Sequence, residues 1–82
     1  MIVAAQIRAA RSAVNWSAEE LARRCGIVRR TVVKIEGSVG VPSANSQTIH
    51  KIQTAFEEAG IEFIGSPDDA PGIRIHTRKT ES

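Results

Sequence analysis

Trp16-Ser-Ala-Glu-Glu-Leu-Ala-Arg-Arg-Cys-Gly-Ile-Val-Arg-Arg-Thr-Val-Val-Lys-Ile-Glu36 contains two short helical patterns that meet at Gly26 with only a tight turn between them. A helix-turn-helix is written this way in sequence. Ser17 predicts the N-cap of the first of these helices, helix two of the chain: its hydroxyl accepts from an orphan amide, and Glu20, three residues on, completes a capping box by reaching back. Trp16 and Leu21 occupy the staple positions around that cap, so the tryptophan reads as a core clamp. Helix two, about Ala18 to Arg24, turns Leu21, Ala22 and Cys25 inward. Gly26 takes the C′ position, where a left-handed backbone favours glycine. Helix three runs from Arg29 to Glu36 with Ile27, Val32 and Ile35 as its buried set, which leaves Arg29, Arg30, Val33 and Lys34 facing outward. Three cations and a β-branched apolar residue on an exposed face have little stabilising purpose of their own.

Upstream, Val3, Ile7, Ala10 and Val14 recur at helical spacing and predict helix one from about Ile2 to Ala13, with Gln6, Arg8 and Ser12 on its other faces. Asn15 breaks that run. Downstream, Gly37 to Asn45 reads as a loop punctuated by Gly37, Gly40 and Pro42. Helix four is expected from Ser46 to Ala59, with Ile49, Ile52, Ala55, Phe56 and Ala59 on one stripe. Gly60 stops it, and Ile61 folds back as the apolar contact of a Schellman ending. The period then changes to two. Ile61 to Ile64 and Ile73 to His76 alternate, and residues 65–72 between them are rich in turn formers, so a C-terminal β-hairpin is expected. A lone hairpin is marginal, and it must pack on the helices or pair with a second copy through its edge. Residues 77–82 are polar and read as a flexible tail.

A chain of 82 residues makes one small domain, too small for an enzyme with a deep cleft and a separate lid. Its single cysteine, Cys25, cannot form an internal disulfide, and the N-terminal stretch lacks the basic start and long apolar run of a secretory signal. A cytoplasmic protein with no membrane association is expected. The net charge of +2 conceals an asymmetry: residues 1–34 carry seven basic side chains against two acidic ones, and residues 35–82 carry four against seven. Basic charge concentrated in the helix-turn-helix half is the natural complement of a polyanion such as duplex DNA.

Residues from about Gln6 to Ile64 resemble the Cro and phage-repressor class of helix-turn-helix regulators, often called the XRE-like family. That family's usual pattern is an arginine, a short gap, Trp/Leu-Ser-Gln-x-x-Leu-Ala, Gly-Val-Ser, then Thr-Ile and a closing glutamate. Here it is carried by Arg11, Trp16, Ser17, Glu20, Leu21, Ala22, Gly26, Ile27, Thr31, Val32, Ile35 and Glu36. The resemblance implies an all-α, compact four-helix, lambda-repressor-like domain over residues 1–64; the hairpin of residues 61–76, read from its alternation, is a candidate dimerisation element beside it. Helix three would enter the major groove and helix two would lie across the backbone, two copies reading half-sites about 34 Å apart. Arg29, Arg30 and Lys34 then become base-edge or groove contacts, since either cation can bond guanine O6 and N7, and Val28 and Val33 can touch a thymine methyl. Ser17, Ala18, Thr31, Asn45, Gln47 and Lys51 are the candidate phosphate contacts, through hydroxyls, amides, the amino group or the backbone at a helix start. Arg11 and Glu36 resemble the family's structural pair, which bridges helix one to the end of the recognition helix.

The chain departs from the family pattern at three places. Ala18 stands where a glutamine usually opens helix two. Val28 stands where serine or threonine usually caps helix three, a cap worth about 1 kcal/mol. The loop from Gly37 to Asn45 carries no cation. Modest affinity per monomer follows, with dimerisation supplying much of the rest. The other constellations lead nowhere chemical: Glu19–Glu20 and Glu57–Glu58 are adjacent pairs that do not converge, and His50, His76 and Cys25 lack metal-ligand spacing. No cofactor, metal or catalysis is expected. The reading is therefore a homodimeric transcriptional regulator that binds double-stranded DNA. Its rivals are the antitoxin of a toxin–antitoxin pair, gripping a toxin by strand addition, and a protein-interaction module on the same fold.

Overall fold

A computed structural model of the chain describes residues 2–42 and 44–76; the expected tail at 77–82 lies outside the described residues. The order is α1 (Ala4–Val14), α2 (Ala18–Cys25), α3 (Arg29–Glu36), α4 (Ser46–Glu58), β1 (Ile61–Ser66) and β2 (Asp69–Ile75). Helix accounts for 54% and strand for 18% of the described residues. The all-α expectation is thus corrected to a mixed α/β architecture, because the two strands form an antiparallel sheet that takes part in the core.

Local chemistry sets the helix ends. Val3 is extended (φ −103°, ψ 162°), so α1 begins at Ala4, two residues later than the apolar spacing predicts. Both α1 and α2 close on a left-handed residue, Asn15 (φ 62°) and Gly26 (φ 69°). In each case the following amide reaches back five residues, Trp16 N–H to the Arg11 carbonyl at 3.1 Å and Ile27 N–H to the Ala22 carbonyl at 3.0 Å. The Schellman closure therefore belongs to these two helices. At the end of α4, shorter-range bonds run from Ala59 N–H to Phe56 and from Gly60 N–H to Glu57. Ala59 itself is exposed, outside the stripe assigned to it.

Ser17 Oγ accepts from Glu20 N–H at 3.0 Å and Asn45 Oδ1 accepts from Thr48 N–H at 2.8 Å, so α2 and α4 each start on a side-chain cap. The other half of the expected capping box at α2 is not made. Glu20 turns its carboxylate to Arg23 and Arg24 instead, three and four residues along the same helix. Helix α3 follows Val28 with no side-chain cap at all.

The core draws Ile7 and Ala10 from α1, Leu21, Ala22 and Cys25 from α2, Val32 and Ile35 from α3, Ile52 and Phe56 from α4, and Ile61 from β1. Phe56 is its aromatic centre: Trp16 stacks on it with centroids 5.3 Å apart, and Phe63 of β1 meets it edge-on at 6.1 Å. Each contact of this kind adds about 0.5–1.5 kcal/mol to the area buried.

The sheet is longer than expected. Ile61 pairs with Ile75, Phe63 with Ile73 and Ile64 with Gly72, and the ladder continues past a bulge at Gly65 (φ 78°) to a Ser66–Asp69 pair. Only Pro67 and Asp68 form the turn. The stretch from Gly65 to Gly72 reads as turn because it is rich in Gly, Pro and Asp, yet the Gly65 bulge and a left-handed Ala70 (φ 52°) let the strands continue through it. A Cβ at Gly65 would lie 2.3 Å from the Ala70 carbonyl oxygen, so no other residue fits this crossing.

Gln6 is a second correction. It is not on an outer face but 4% exposed, with Oε1 accepting from Val3 N–H at 2.8 Å and Nε2 donating to the Ile64 and Gly72 carbonyls at 3.0 and 2.7 Å. One amide thus starts α1 and ties it to both strands. Among the described residues no helix is long and apolar enough to cross a membrane.

Candidate nucleic-acid interface

The turn between α2 and α3 consists of Gly26, Ile27 and Val28. Gly26 reverses the chain, Ile27 packs against the core, and Val28 is extended (φ −85°, ψ 153°) before α3 begins at Arg29. Val32, Ile35 and Glu36 are the buried residues of α3, and at 100° per residue they fix one face of it. Arg29, Arg30, Val33 and Lys34 fall on the remainder and are all exposed, as sequence spacing predicts; Val28 is exposed too, and Thr31 is half-buried at the margin.

Glu36 locks this presentation. Its carboxylate accepts from Arg11 Nε at 2.8 Å and from Arg11 Nη2 at 3.0 Å, while Arg11 Nη1 donates to the Trp16 carbonyl at 3.0 Å. The planar guanidinium fork fixes direction as well as distance. Bonding to Glu36 raises the Arg11 pKa above its already high ordinary value. Arg8 donates to the Glu36 backbone carbonyl, so two arginines of α1 hold the last residue of α3. Every buried side-chain polar atom among the described residues has a hydrogen-bond partner.

The cations of the N-terminal half divide into two groups. Arg8 and Arg11 serve Glu36, and Arg23 and Arg24 serve Glu20 at 2.7 Å. Arg29, Arg30 and Lys34 form no ion pair among the described residues. Arg30 and Lys34 stand one helical turn apart with like charge, an arrangement that costs about 0.2–0.5 kcal/mol rather than stabilising α3. The uncommitted positive charge of this half is therefore gathered on one helix face, around the exposed Val33.

The remaining candidates are more dispersed. Ser17 and Asn45 have their side-chain oxygens engaged in capping, and Ala18 is half-buried at the first turn of α2. Gln47 is exposed on the first turn of α4 beside an apolar cleft that Ile2, Val41, Pro42, Ala44 and Ile49 line. Lys51 borders a separate shallow cleft with Arg24, Cys25 and His50. Cys25 Sγ lies 3.8 Å from the Lys51 carbonyl, and burial pushes its thiol pKa up, which makes it a packing residue rather than a nucleophile. No group of three or more His, Cys, Asp or Glu side chains placed to hold a metal ion occurs among the described residues.

Sequence reasoning missed two site-supporting roles. Arg8 reads as a free helix-one cation, although its position three residues before Arg11 on the same face is the signal for a shared partner. Glu20 reads as a cap partner, although arginines at both i+3 and i+4 compete for it. In comparisons with known proteins, no family model matches the chain and no curated protein matches it.

Proposed function

We propose that the protein binds double-stranded DNA as a small cytoplasmic transcriptional regulator of the XRE-like type, reading the major groove with α3. One observation carries this reading: the three cations of the N-terminal half without an ion-pair partner among the described residues all lie on the exposed face of α3, directly after a three-residue turn. Arg29, Arg30 and Lys34 contact guanine edges or flanking phosphates, and Val33 and Val28 meet thymine methyls. The uncapped start of α3 offers amides for a phosphate, as do the first turns of α2 and α4. Arg11 and Glu36 set the tilt of α3 and take no part in readout.

The protein acts as a homodimer on paired half-sites, since three cations on one helix give weak binding alone. Among the described residues no further strand pairs with the two-stranded sheet, which favours that region for a protein contact with a second copy as partner; a toxin added as a further strand is the second reading. Selection of fragments from the native genome by the purified chain tests the proposal. A recurrent, two-fold-related sequence is expected, and recovery of fragments without any shared sequence would contradict site-specific reading.

A further inference from the structure

We propose that Glu20 restrains the cations of α2, so that the Arg23 and Arg24 side chains add little to the grip on phosphate; this rests on the DNA-binding reading above. Arg23 Nη2 donates to both Glu20 oxygens at 2.7 Å and Arg24 Nε donates to one of them at 2.7 Å. Arg24 is held a second time, its guanidinium carbon 4.2 Å from the centre of the Trp16 ring, and that ring stacks on Phe56. A single carboxylate thus engages both cations of α2.

The placement gives this arrangement a consequence. Helix α2 packs directly on α3 across the turn, so a duplex seated on α3 brings phosphates close to α2. Arg23 has 70% of its side chain exposed and can reach such a phosphate if it leaves Glu20. Its carboxylate partner competes for it, and it repels the phosphate as well. Exposed ion pairs are weak, so the restraint is a graded one, worth roughly a twofold to fivefold factor in affinity in all. Glu19, the neighbouring acid, is exposed and has no ion-pair partner among the described residues, which makes it the natural control. The two acids differ in pairing and hardly at all in position along the helix.

Salt-dependent fluorescence anisotropy with a labelled mixed-sequence duplex tests the inference on the wild type, Glu20→Gln, Glu19→Gln and the double variant Glu20→Gln/Arg23→Ala. The Ser17 cap takes the backbone amide of residue 20, so Glu20→Gln keeps it, and circular dichroism verifies the fold. Glu20→Gln is expected to bind roughly twofold to fivefold tighter at low salt. Its log–log salt slope should steepen by about 0.9 for each phosphate gained. Arg23→Ala in that background should remove at least half of the gain, and Glu19→Gln should give a smaller one. A Glu20→Gln effect no larger than that of Glu19→Gln, or one that keeps more than half its size without Arg23, overturns the inference and leaves the DNA-binding reading standing. A wild-type protein that ignores the duplex in dilute buffer overturns both.

Discussion

The Arg11 guanidinium of α1 clasps the carboxylate of Glu36, the last residue of α3, through two hydrogen bonds of 2.8 and 3.0 Å. The two partners are unequal. The Glu36 side chain is 9% exposed and that of Arg11 is 28% exposed, and Arg11 has a second acceptor in the Trp16 carbonyl. Removing Arg11 strands a buried carboxylate, whereas removing Glu36 leaves a cation that keeps water and one carbonyl. Arg11→Ala should therefore destabilise by about 1–3 kcal/mol and Glu36→Ala by less. Urea unfolding of the two variants checks the order.

Gln6 makes three hydrogen bonds that a similarly sized apolar residue cannot replace. Gln6→Leu leaves the Val3 amide and two strand carbonyls without their partner, at a cost of about 2–4 kcal/mol. Amide exchange in β1 and β2 should accelerate more than exchange in α2 and α3. Equal acceleration everywhere would mean that the side chain does not link α1 to the sheet locally.

Gly65 and Gly72 sit in the same hairpin and predict opposite outcomes for alanine. At Gly65 a Cβ meets the Ala70 carbonyl oxygen at 2.3 Å on a left-handed backbone, so Gly65→Ala should cost well over 1 kcal/mol. At Gly72 the nearest atoms are the Ile64 side chain at 3.8 Å, an ordinary contact, and the change should be close to neutral. Thermal melts of the two variants separate these cases.

Burial holds the Cys25 thiol above its ordinary pKa of 9.0, with Lys51 opposing the shift only in part. A native pKa above the unfolded one contributes stability that is complete below the unfolded value and is lost as pH rises through the native value. Reaction with a thiol reagent at mildly alkaline pH should accordingly be slower than in the unfolded chain, and should track opening of the fold. Rapid labelling of the folded protein would show that the sulfur is accessible.

Much of the helical framework was legible because its signals are local. Asn15, Ser17 and Gly26 end or begin helices through bonds to residues within five positions, and a short window of sequence contains both partners; the Asn45 cap is equally local but reads as the end of a loop. The exposed face of α3 was legible for a related reason, since the apolar positions 32 and 35 fix which way a short helix must turn. What escaped depends on distant contacts or on competition. Gln6 is polar and sits on a helix, so periodicity places it outward; its partners at 64 and 72 lie about sixty residues away. The capping box at Glu20 and the pairs with Arg23 and Arg24 are both local, and no feature of the sequence ranks them. The hairpin's length was hidden because a bulge glycine, a left-handed alanine and a proline imitate a long turn, and the sheet's share in the core makes the domain mixed where all-α was expected.

The hairpin packs on the helices, one of the two arrangements expected of it. Ile61 is 2% exposed and Phe63 packs on Phe56, so the region cannot be removed as a separable module. Surface changes at the exposed Ile75 are the suitable probe of self-association there.

The most direct test is salt-titrated binding of duplex DNA by the wild type and by a variant with Arg29, Arg30 and Lys34 all changed to alanine. These side chains are exposed and unpaired among the described residues, so the variant should keep its circular dichroism spectrum and lose no more than about 0.5 kcal/mol per site. The wild type is predicted to bind in dilute buffer with a log–log slope of about −2 to −3 per chain, and the variant to bind at least tenfold more weakly with a shallower slope. A wild type indifferent to DNA, or a folded variant that binds as tightly as the wild type, would contradict the account.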